Sequence, residues 1–89
     1  FYDTILPDTD ILITHGPAHG NLDFCPGGHV GSTSLKEKLP TLTNLKLHVT
    51  GNIHESRGTM FEDGLLTVNA AICGIPYTDV VINPITVEI

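Results

Sequence analysis

A chain of 89 residues, 40% hydrophobic and 16% charged, has room for one domain and the composition of a folded rather than a disordered polypeptide. Its net charge of −6, with only Lys36, Lys38, Lys46 and Arg57 as lysine or arginine cations, argues against a nucleic-acid polymer or an anionic membrane as partner. No apolar run is long enough to cross a membrane, no leader is visible, and Cys25 and Cys73 lack C-x-x-C spacing, so reduced thiols and a cytoplasmic location are expected.

Residues 1–8 read as an incoming linker or short strand closed by Pro7. Ile11 to Thr14 form an apolar strand, and the Ile-Leu-Ile run predicts burial on both faces. Gly16 to Gly31, with Pro17, Gly20, Pro26, Gly27 and Gly28, is a long loop of the kind that is usually functional or mobile. Ser32 or Thr33 can cap a helix predicted from about Ser32 to Leu39, where Pro40 removes a donor and turns the chain through Asn44. Leu45, Leu47 and Val49 alternate with Lys46, His48 and Thr50, the period of a half-buried strand, and His48 is expected to pack or hydrogen-bond on the second sheet face. A turn on Glu62-Asp63-Gly64 leads into a strand from Leu65 to Ala70. After the Asn83-Pro84 corner, Ile85 to Ile89 is expected to close the sheet. There is no repeat, heptad or low-complexity tract.

Two of these strands end on histidine. The first delivers His15 into Gly16-Pro17, and the second runs into Gly51-Asn52-Ile53-His54-Glu55, where Asn52 and His54 at i and i+2 can project the same way. Imidazoles at the carboxyl ends of two strands suggest a metal or phosphate site at a sheet edge. A lone histidine in such a place is otherwise a structural residue, and Asn52 reads equally as a turn residue. Gly27-Gly28 lacks the spacing of a phosphate cradle, and no Ser-His-Asp or Cys-His arrangement is supported.

The elements T-H-G-P (Thr14 to Pro17) and G-N-I-H-E (Gly51 to Glu55) resemble the last two metal-binding motifs of the calcineurin-like metallophosphoesterases, whose second element is usually G-H-x-H. The order "ILITHGPAHGNLD", "LKLHVTGNIHE", "DGLLTVNAAIC", "NPITVEI" is similar to the branch of metallophosphoesterase-domain-containing proteins. The resemblance implies an α/β fold, part of that family's sandwich of two mixed sheets, with about four strands, one helix and the long Gly/Pro-rich loop. Residues 1–89 would be the C-terminal half of the domain.

It further implies a metal-dependent phosphoester hydrolase acting on a small phosphodiester or nucleotide once the other half is present. Two divalent ions (Mn, Fe or Zn) would be held in part by His15 on one ion and His54 on the other. Asn52, where the family has histidine, would be a poorer amide donor. His19 and Asn69 are the candidate substrate contacts. The family's D-x-H, G-D-x-x-D and G-N-H-[DE] elements are absent from this chain, so no catalytic residue is assigned. Two other readings stay open: an attenuated nucleotide-binding or regulatory module, and a non-catalytic remnant associating through open sheet edges.

Overall fold

The computed structural model describes residues 4–53, 56–71 and 85–88. It is a mixed α/β arrangement. Among the described residues the strands are β1 (Ile11–Ile13), β2 (Phe24–Cys25), β3 (Gly28–His29), β4 (Leu47–Thr50), β5 (Gly58–Glu62) and β6 (Leu65–Asn69), with one α-helix, α1 (Thr33–Lys38). Four strands make a sheet in the order β1-β4-β6-β5, parallel except for the antiparallel β5, while β2 and β3 pair as a separate small hairpin.

Helix α1 starts where Ser32 Oγ accepts a hydrogen bond from Leu35 N at 3.1 Å, and Lys36 and Lys38 in its last turn suit the negative end of the helix dipole. Pro40 stops it, and Leu39–Thr41 tighten into a 3₁₀ turn. Leu35 and Leu39 fall on one helical stripe and are buried with Ala18, Leu42 and Leu45, against which Ile5, Leu12 and Leu65 pack. The helix thus covers the sheet face that carries Leu12, His48 and Thr67, which lie side by side in register. Below it lies a cavity of about 240 Å³ bounded by residues that include Lys36, Leu39, Leu45, Met60 and Thr67.

The helix and the two inner strands fall where the sequence puts them. Three features differ. The Leu65 strand has an antiparallel neighbour, β5, joined through Asp63 and Gly64, whose φ values of 53° and 80° make the two-residue turn that suits a hairpin. Burial of β1 on both faces is corrected: Ile11 and Ile13 are 45% and 75% exposed, because β1 is an edge strand among the described residues and only its Leu12 side meets the helix layer. The closing strand at 85–89 is also corrected. Residues 85–88 keep an in-and-out alternation but pair with none of the described strands, and Ile89 lies outside the described residues. Among the described residues no helix is long and apolar enough to cross a membrane.

Candidate functional site

Because β1 and β4 are parallel and in register, their carboxyl ends emerge together. The ladder continues past the strands: Thr14 N donates to Val49 O at 3.0 Å and Gly51 N to His15 O at 3.0 Å. His15 and Asn52 therefore leave the same end of adjacent strands. Asn52 adopts φ +66°, a left-handed conformation that asparagine tolerates, and its amide nitrogen lies about 4 Å from where a Gly16 side chain would begin. Both side chains are exposed. His54 and Glu55 lie outside the described residues, as does Cys73.

A buried relay holds the His15 turn in place. His48 is fully buried, and its Nε2 lies 2.8 Å from Thr14 Oγ1, which donates its single hydroxyl proton to Gly16 O at 2.7 Å. Since that proton is spent, His48 must donate from Nε2, which leaves its buried Nδ1 as a bare acceptor without a partner among the described residues. Burial holds the His48 pKa down at about 4, so the ring is neutral at physiological pH.

Asn69 ends β6 opposite Thr50 and is fully buried. Its amide donates to Leu22 O at 3.0 Å and to Ile53 O at 2.8 Å, while its carbonyl accepts from Ala71 N at 3.1 Å. One side chain thereby joins the long loop, the turn after β4 and the end of β6. Its polar atoms are all engaged with backbone, which makes it a brace for the site's rim. Ser56 Oγ adds a second tie by donating to Phe24 O.

The long loop carries His19 and is organised by a residue that the motifs do not flag, Asp23. Its carboxylate is buried and accepts from Gly20 N at 3.0 Å, Gly31 N at 2.8 Å and His29 Nδ1 at 2.6 Å. Burial alone would raise the pKa of Asp23, but the Gly20 amide, the His29 ring and the Gly31 amide outweigh it and hold the carboxyl below its ordinary value. The loop's neck is closed by the bridge between Ala18 and Ser32, with His19 N donating to Ser32 O at 3.1 Å and Ser32 N to Pro17 O at 2.9 Å. His29 is about half exposed, meets Phe24 edge-on at 5.4 Å between ring centres, and lies 5.7 Å from the His19 ring. The sequence signal for Asp23 was weak, because its three partners stand three, six and eight residues away in a segment without periodicity.

The arrangement therefore gathers His15, Asn52 and Asn69 at one end of the sheet, with the loop of His19 tied to that end through Leu22. Among the described residues no three His, Cys, Asp or Glu side chains are arranged to hold one metal ion. One exposed imidazole and one amide make only part of a donor set, which is too few to fix a two-ion centre.

No family model matches the chain. It is similar to metallophosphoesterase domain-containing protein 1 from human and from mouse, 40% identical in each case over 83 residues. That match takes in 90% of this chain, which spans only about 25% of the length of those relatives. A 58-residue stretch, 64% of this chain, is also 40% identical to 5% of a probable rhamnogalacturonate lyase C of Emericella nidulans.

Proposed function

We propose that this chain is a C-terminal portion of a calcineurin-like metallophosphoesterase domain, contributing His15 and His54 to a centre of two divalent ions (Mn, Fe or Zn) in a hydrolase of small phosphodiesters or nucleotides. The 83-residue similarity to the mammalian proteins supports the family, and the parallel ends that set His15 beside Asn52 are the single structural observation that carries the reading. Within this chain, the work visible at the site is positioning: His48 and Thr14 hold the His15 turn, and Asn69 fixes the spacing between the loop and the turn after β4. The Asn69 role is thus support of a substrate-facing rim, and His19 remains the loop's candidate phosphate contact. The substrate we assign is a small phosphorylated molecule, with neither a nucleic-acid polymer nor a membrane as partner, in the cytoplasm.

The test is a chimaera in which these residues replace the matching quarter of the human relative. Metal-dependent hydrolysis of a chromogenic phosphodiester is expected from it, and His15→Ala is expected to weaken both metal affinity and rate. A chimaera that folds, binds no metal and gives the same signal with or without His15 refutes the reading.

A second reading, the attenuated nucleotide-binding module, is favoured by Asn52, whose amide is a poorer donor than imidazole at this place. Asn52→His in the same chimaera is expected to raise the rate if attenuation is the role of that residue; an unchanged rate removes this alternative.

A further inference from the structure

The loop between β1 and α1 builds a cluster that the strand-end motifs do not use and from which the proposed hydrolytic reading takes only His19, as a candidate phosphate contact. Three observations converge there. Asp23 is a buried carboxylate kept ionised by two backbone amides, and it takes the Nδ1 proton of His29 at 2.6 Å. With Nδ1–H committed, the tautomer of neutral His29 is fixed, and its lone pair is at Nε2, on the side of the ring away from the carboxylate. His29 is half exposed, and a second exposed imidazole, His19, stands beside it with ring centres 5.7 Å apart.

A carboxylate that orients one imidazole and raises its basicity is the arrangement that commonly stands behind histidine ligands of metal ions. Two imidazoles bound at roughly 2.0–2.1 Å to one ion place their ring centres roughly 4.5–6 Å apart, a range that includes the 5.7 Å between His19 and His29.

We propose that His19 and His29, backed by Asp23, form a surface site for a borderline divalent transition ion such as Zn²⁺, Ni²⁺ or Cu²⁺, with water or a ligand oxygen in the remaining positions. Imidazole pairs select such ions over Mg²⁺ and Ca²⁺, which demand oxygen donors. Its ligands are residues other than His15 and His54, and it does not depend on the phosphoesterase reading. Both imidazoles are exposed, so a phosphate or carboxylate oxygen can complete the coordination of an ion bound there.

The experiment uses the whole 89-residue chain. Zn²⁺ is titrated calorimetrically, and substoichiometric Cu²⁺ is added while histidine ring signals are followed by NMR. Expected are saturable Zn²⁺ binding and selective broadening of the His19 and His29 rings. His19→Ala, an exposed change that leaves the loop's hydrogen bonds intact, should lower affinity at least tenfold. Asp23→Asn, if folded, should lower it by roughly 10- to 100-fold through the lost orientation of His29. Broadening confined to His15 and His54, affinity unmoved by His19→Ala, or no binding at millimolar Zn²⁺ overturns the proposal. Since His15→Ala leaves the His19 and His29 site whole, broadening retained in that variant separates this inference from the fate of the hydrolytic reading.

Discussion

His48 and Asp23 decide how the molecule answers to acid. The folded-state pKa of His48, about 4, lies below the ordinary value of 6.5 for the unfolded chain, so between those values the unfolded state takes up the proton and the folded state does not. Its burial therefore adds no pH-dependent cost above pH 6.5 and destabilises progressively as pH falls toward 4, by up to roughly 3 kcal/mol. Asp23 runs the same way at lower pH: with a depressed folded pKa, its contribution is present above the unfolded value of 3.8 and is lost as pH falls through the folded one. Urea midpoints measured from pH 7 to pH 4 should show the His48 loss, and His48→Gln should flatten that slope while keeping a donor for Thr14. Asp23→Asn should cost about 2 kcal/mol at pH 7, because a neutral amide cannot accept as strongly from Gly20, Gly31 and His29, as thermal melts would record.

At the scale of elements, the loop from Gly16 to Gly31 is a closed ring rather than slack chain. Its neck is so tight that a side chain added at Gly31 would begin 2.5 Å from Ala18 backbone atoms and 2.7 Å from His19 N. Gly31→Ala should therefore destabilise the chain by about 1–3 kcal/mol, or expose the loop to faster amide exchange at His19 and Ser32. Much of the neighbouring architecture was legible. Ser32 followed by Leu35 and Leu39 marked the helix and Pro40 its end, and the alternation from Leu45 to Thr50 marked the inner strand, because local propensity and burial agree there. The hairpin β2–β3 and strand β5 were not legible, since Phe24-Cys25 is too short to show a period and Gly58-Thr-Met-Phe-Glu62 has little alternation. The strand-end placement of His15 and Asn52 could be read from the motifs. The Asn69 brace could not, because its partners Leu22 and Ile53 are backbone carbonyls, which leave no trace in side-chain identity.

Over the whole molecule, one sheet face lies under α1 and its turn, while the other presents Ile11, Leu47, Leu66 and Phe61 side by side in register. Leu47 is buried in that row, but its outer members are not: Phe61 is 71% exposed, and Ile13 in the next row 75%. A mostly parallel sheet ordinarily has both faces covered, and an unpaired edge strand invites a neighbour. Sedimentation across a concentration series should show the isolated chain self-associating, and Ile13→Lys should shift it toward monomer without loss of secondary structure. A monomer at every concentration would mean that this face is satisfied within the chain.

The tight neck has an evolutionary corollary. Beyond it, at the hairpin tip Gly27-Gly28, a Cβ added at either glycine would meet nothing among the described residues. Extra residues spliced there lengthen a ring whose base is already clamped, and each doubling of such a ring costs only about 0.6 kcal/mol. Lineages can thus rewrite what hangs above the strand ends while leaving the scaffold beneath untouched, so variety among kin should concentrate at this tip.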